Sequence, residues 1–177
     1  MAKRMRWKRI DMIFLCALAL LLGAGSYLFY MVHLPQDRLD GALIVAVLQG
    51  DKASVIRDLN AGANPNAVSL AAAPLWVHLF RPKMIARHPV LMDAIWLGED
   101  DIVGDLLDHG ANVNVRDDFT GWSALMYAAY YGRSSTCKIL LAREADVNAT
   151  DKKGETALTL AKSPTIIHML QQAGAKE

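Results

Sequence analysis

The chain has 177 residues, 53% of them hydrophobic, and carries 19 Lys and Arg against 18 Asp and Glu, a formal net charge of +1. Five of the basic residues (Lys3, Arg4, Arg6, Lys8 and Arg9) precede Met12, with Asp11 the one acid there, which leaves 14 basic against 17 acidic residues in the remainder. That balance excludes the basic face of a nucleic-acid-binding domain, and two cysteines as far apart as Cys16 and Cys137 form no disulfide framework.

Residues 1–11 read as a basic cytoplasmic segment. From Met12 to Val32 there are 21 residues without a charge, enough for a helix to span roughly 30 Å, the hydrocarbon thickness of a bilayer. Residues 12–34 are therefore predicted to form one transmembrane signal-anchor helix, with membrane contact through 12–32. Gly23-Ala24-Gly25 has the small residues of a cleavage site, but a cleaved signal has an apolar core of only about 7–15 residues, and Tyr27 to Val32 continue past it. A lipid anchor on Cys16 is disfavoured by bulky Leu15. Only Arg38 follows in the short stretch after the helix, so the excess of basic residues ahead of it keeps the N-terminus cytoplasmic. Everything beyond is expected outside the cytoplasm, in the periplasm if the cell is Gram-negative.

Residues 35–177 repeat one pattern. Leu43-x-x-Ala46 is followed by Gly50 and Gly62-Ala63-Asn64; Leu91-x-x-Ala94 by Gly98 and Gly110-Ala111-Asn112; Leu125-x-x-Ala128 by Gly132 and Glu144-Ala145-Asp146. A shorter fourth copy runs from Leu158-x-x-Ala161 to Gly174-Ala175. Gly50, Gly98 and Gly132 suit a tight turn between two helices, where a left-handed backbone is otherwise costly. Ser123 and Thr156 suit helix N-caps, Ser163-Pro164 a helix start, and Glu144 stands where a glycine is expected. Between the first two copies lies an insertion at about 68–88, which includes Trp76, Leu79 and Phe80 followed by Arg81, Lys83 and Arg87.

The period near 33, the Leu-x-x-Ala helix, the mid-repeat Gly and the Gly-Ala-Asn-x-Asn exit resemble the ankyrin repeat. The expected fold is thus all-α: an N-terminal transmembrane helix followed by an ankyrin-type helical solenoid of about four repeats. The resemblance implies that another protein is bound by the hairpin tips and by the exposed side of the first helices. On this chain the tips carry Asp118, Phe119, Thr120 and Trp122, then Lys152, Lys153 and Glu155; the first helices carry Asp93, Trp96 and Leu97, then Tyr127, Tyr130 and Tyr131. Trp96, Phe119, Trp122, Tyr127, Tyr130 and Tyr131, with Trp76 and Phe80 of the insertion, are the candidate partner-binding residues, because aromatic rings bury large area at small entropic cost. Trp96 and Tyr127 fit inter-repeat packing equally well. Tyr130 and Tyr131, next to Gly132, favour a surface role. In the insertion, Leu75, Val77 and Phe80 also fit a lid over repeat one.

Catalytic chemistry is not expected. His33, His78, His88, His109 and His168 are scattered, with no helical metal-binding pair. Gly121-Trp122-Ser123 begins like a nucleophile elbow, but Leu125 stands where the second Gly is needed. Asp100 and Asp101 complement a helix N-terminus. Asn148-Ala149-Thr150 has the form of a glycosylation sequon, yet Asn148 is the regular exit Asn of its repeat. No cofactor, metal, nucleic acid or small-molecule substrate is expected. A protein-binding module and an accessory subunit held in a membrane assembly by its transmembrane helix are the two functional readings.

Overall fold

A computed structural model describes residues 38–70 and 87–176. The predicted transmembrane helix 12–34 and Trp76 and Phe80 of the insertion lie outside the described residues. Among the described residues, no helix is long and apolar enough to cross a membrane.

Leu39–Glu177 is one compact unit, built from helices that arise in pairs. They are α1 (Arg38–Gln49) and α2 (Lys52–Asn60), α3 (Val90–Leu97) and α4 (Asp100–Asp108), α5 (Ala124–Tyr130) and α6 (Ser134–Ala142), and α7 (Ala157–Leu160) and α8 (Pro164–Gln172). First helices pack on first helices, α3 on α5 and α5 on α7, while second helices pack in their own row, α2 to α4 to α6 to α8. The stack is therefore two layers thick, and each repeat touches only its neighbours, as in any solenoid.

The local chemistry explains the boundaries. Ser123 and Thr156 cap α5 and α7 by accepting the backbone N–H groups of Met126 and Thr159, and Asp51 caps α2 through the N–H of Ser54. α8 starts on Pro164 at its first turn, where a missing N–H costs nothing. Gly50, Gly98 and Gly132 all have positive φ between the two helices of a pair, and Glu144 takes the same left-handed conformation at φ 61°. At Gly98 a second constraint is added: a Cβ there would stand 2.5 Å from Arg133 Nη1, while Arg133 Nη2 donates to the Trp96 carbonyl at 2.8 Å. Gly98→Ala should therefore lose about 1 kcal/mol to the left-handed backbone plus the displaced guanidinium contact. A Cβ at Gly132 meets nothing within 4 Å. The check is a pair of thermal melts, in which Gly98→Ala should lower Tm more than Gly132→Ala.

The core is aliphatic and alanine-rich. Leu43, Val47, Leu91, Ile95, Ile102, Leu106, Leu125, Leu140, Ile166 and Leu170 are all buried, and Ala46, Ala94 and Ala128 let the helices of a pair approach. Side-chain amides then tie repeat to repeat at the exits. Asn66 accepts the N–H of Asn112 at 2.7 Å and donates to the Gly110 carbonyl; Asn114 accepts the N–H of Asp146 at 2.8 Å. Asn148 accepts the N–H of Lys176 and donates to the Gly174 carbonyl. The exit asparagines are thus inter-repeat clamps, and Asn148 is used in this way.

The repeat solenoid is all-α as expected, and one short ribbon is added to it. β1 (Val68–Leu70) and β2 (Arg87–Pro89) pair antiparallel, with Val68 opposite Pro89 and Leu70 opposite Arg87. His88 precedes a proline, which drives its backbone extended, and Ser69 Oγ bonds the His88 carbonyl across the pair. The insertion therefore leaves and rejoins the stack through a short ribbon.

Candidate functional site

The hairpin tip between repeats two and three is tightly held. Arg116 and Ser123 form an antiparallel bridge, and inside it the buried Asp117 carboxylate accepts the N–H groups of Phe119, Thr120 and Trp122 and the Thr120 hydroxyl. Burial alone would raise the Asp117 pKa, but the Thr120 hydroxyl and these backbone donors outweigh it and hold the carboxyl below its ordinary 3.8. From the next tip, Lys152 Nζ donates to the carbonyls of Asp118 and Phe119, and Asp151 accepts the Trp122 indole N–H at 3.0 Å. Lys152, which sequence placed among partner-binding tip residues, is thus committed to bracing its neighbour. The result is a rigid turn that leaves Phe119 76% exposed.

Behind the tip stands an aromatic cluster. Trp122 packs edge-on against Tyr127 at 5.4 Å between centroids and tilted against Tyr130 at 5.0 Å, and Tyr131 lies 5.2 Å from Tyr130 and 6.0 Å from Tyr127. Such pairs contribute about 0.5–1.5 kcal/mol each beyond area burial. Lys162 Nζ sits 4.3 Å over the Tyr130 ring, within cation–π range. Trp122 and Tyr127 are half-buried; Tyr130 and Tyr131 are 37% and 42% exposed.

The structure brings together Trp122, Tyr127, Tyr130 and Tyr131, with Phe119 at the neighbouring tip. Trp96 belongs to α3 of the preceding repeat and is 52% exposed, so it is surface rather than core. Asp93, by contrast, is buried, which corrects its placement among exposed groove residues. Its carboxylate is occupied by Ser69 Oγ at 2.6 Å and by His88 Nδ1 at 2.7 Å. Sequence reasoning missed this network because Ser69, His88 and Asp93 meet only when the ribbon closes. It also passed over Leu39, Val45 and Leu48, all exposed on α1. The signal for those was an apolar residue at every third position of a helix that begins the stack.

His88 Nε2 lies 3.2 Å from the Tyr127 hydroxyl, so Asp93, His88 and Tyr127 line up in the order of a proton relay. A relay needs an activatable end, and burial followed by the nearby Asp117 charge pushes the Tyr127 phenol up to about 12. That shift disfavours the phenolate. Burial likewise pushes the Cys137 thiol up to about 12, which makes it an inert core residue. Among the described residues, no group of three His, Cys, Asp or Glu is placed to hold a metal. The network fixes the ribbon against α3 and α5, and what the site presents is aromatic surface.

Comparison with known proteins agrees with this architecture. The family model for ankyrin repeats (three copies) matches residues 91–176. An ankyrin repeat-containing protein of Treponema pallidum is 38% identical over 90 residues, 49% of this chain and 30% of its own length. Ankyrin repeat and SAM domain-containing protein 6 of Danio rerio is 44% identical over 71 residues, 40% of this chain and 10% of its own. Protein phosphatase 1 regulatory subunit 12A of Mus musculus is 33% identical over 64 residues, 36% of this chain and 6% of its own. The chain thus spans less than a third of the length of each of these relatives. Ankyrin repeats generally mediate protein–protein interaction. With the paired helices, left-handed glycine turns, a bridged tip and asparagine clamps in place, residues 91–176 are ankyrin repeats.

Proposed function

We propose that this protein is a membrane-tethered, extracytoplasmic protein-binding module, an adaptor, inhibitor or immunity-type partner, that holds another protein on its first-helix face and hairpin tips. The observation that carries the reading is where exposed large apolar side chains fall. Leu39, Val45 and Leu48 on α1, Trp96 on α3, and Tyr130 and Tyr131 beside α5 all belong to the first helices and their ends, Phe119 belongs to a tip, and among the described residues no second helix contributes one. One-sided exposure of this kind marks an interaction face. The tether is supported by the 21 uncharged residues from Met12 to Val32 and the five basic residues ahead of them.

The full chain, affinity-tagged and purified from gently solubilised membranes of its own cell, should co-purify a protein partner. Replacing Tyr130 and Tyr131 together by alanine should weaken that binding by about 2 kcal/mol or more, while far-UV circular dichroism keeps its helical signal. If the double variant holds its partner as tightly as the parent, the first-helix face is not the binding surface. The second reading is an accessory subunit whose transmembrane helix carries the contacts. In that case exchanging residues 12–32 for an unrelated membrane span would release the partner while the tyrosine variant kept it.

A further inference from the structure

Three of the exposed apolar residues of the first helices share one register. Leu48, Trp96 and Tyr130 each stand two residues after the small alanine of their helix, Ala46, Ala94 and Ala128, and all three are exposed, at 45%, 52% and 37%. They form one row, one residue per repeat. Charges are graded beside it. Next to Leu48, the Glu99 carboxylate covers Gly50, with Oε1 3.0 Å from where a Cβ would be. Next to Trp96, the Arg133 guanidinium covers Gly98 and bonds the Trp96 carbonyl. At Tyr130, the Lys162 ammonium lies over the ring. The row thus runs from a negative end at repeat one to a positive end at repeats three and four.

From this row and its charge gradient we infer that the occupant of the face is an amphipathic α-helix of the partner protein, lying along the stack with apolar anchors seven residues apart and its N-terminus toward repeat one. The inference rests on the protein-binding reading above. The spacing selects the helix: packed helices stand about 8–10 Å apart, and seven helical residues advance about 10.5 Å and return to the same face. In an extended strand three residues cover about 10 Å, but an odd step turns the next side chain to the opposite face, so successive anchors would miss the row. Polarity sets the direction. A helix carries a partial positive charge at its N-terminus and a partial negative charge at its C-terminus, which match Glu99 at one end of the row and Arg133 and Lys162 at the other. Acidic side chains flanking the second and third anchors complete the match.

The test uses the full chain in mild detergent and three synthetic peptides of about 22 residues, read by fluorescence anisotropy. The first is helical, with three leucines at heptad spacing, Lys beside the first and Glu beside the other two; the second exchanges the Lys and Glu positions; the third rearranges the same residues into strand-like alternation. The first should bind best, with the charge-exchanged peptide at least about tenfold weaker. Trp96→Ala should weaken the first peptide about tenfold or more, and Trp96→Phe should restore most of the loss. Binding of the alternating peptide at equal strength, or equal binding of the two helical peptides, overturns the helical occupant and its direction. If no peptide binds in a Trp96-dependent way, the inference fails, and the tyrosine variant tested on the natural partner still decides the protein-binding reading separately.

Discussion

Leu106→Ala is expected to cost the stack about 3–5 kcal/mol, the upper part of the range for a leucine removed from a core that has no room to collapse. Leu106 is fully buried on α4, which packs against α2, α3 and α6, so the cavity opens among three neighbours in the middle of the array. Since a domain of this size is stable by only about 5–15 kcal/mol, a large part of the margin is lost. In a stack held by nearest-neighbour contacts the damage is also cooperative, because the first repeat loses the partner that covers it. Thermal melts should show a large fall in Tm and a broadened transition. Leu170→Ala, equally buried but on α8 with neighbours α6 and α7 alone, should do less harm. If the two variants were equally destabilised, the order of packing along the array would not govern its stability.

Asp117→Ala is expected to cost about 2–3 kcal/mol, because one carboxylate satisfies three backbone N–H groups and a hydroxyl at the tip and a charged acceptor is worth more than a neutral one. The effect carries a pH signature. The folded state holds the Asp117 pKa below 3.8, so its contribution is complete above the unfolded value and is lost as pH falls through the lowered one. The gap in Tm between the parent and Asp117→Asn should accordingly be widest near neutral pH and close as the solution is taken below 3.8. A gap that held constant down to strong acid would mean that the asparagine had lost packing rather than charge. Loosening the tip also frees Phe119, so partner affinity should fall with stability.

Much of the architecture was legible because the repeat writes itself in residues with few alternatives. A glycine before the second helix, a Ser or Thr before the first and a Gly-Ala-Asn exit each answer a local backbone demand, and the caps at Ser123 and Thr156 and the helix start at Pro164 follow from those demands alone. Glu144 is the exception, since it adopts the left-handed conformation without being glycine. The ribbon was not legible, because three-residue strands carry no periodicity and their pairing joins residues about twenty apart. For the same reason the Ser69–Asp93–His88–Tyr127 network was hidden; its members look unrelated until β1 meets β2. Among the site residues, sequence placed Tyr130 and Tyr131 at the surface through their position before Gly132. It could not separate Trp96 from Tyr127, since both are aromatic residues on first helices. What separates them is the neighbour: Tyr127 is enclosed by Trp122 and His88, whereas Trp96 is 52% exposed.

The ribbon has a consequence for how such a protein changes over time. Val68 and Pro89 are paired at its base, and the Val90 N–H is bonded back to the Ala67 carbonyl, so the distance between repeats one and two is fixed before the chain departs at Leu70 and after it returns at Arg87. Length and composition beyond those two residues are thereby uncoupled from the spacing of the array. That makes this junction a socket, a place where segments are exchanged or lengthened by natural variation or by an engineer while the frame that carries the aromatic face stays in register.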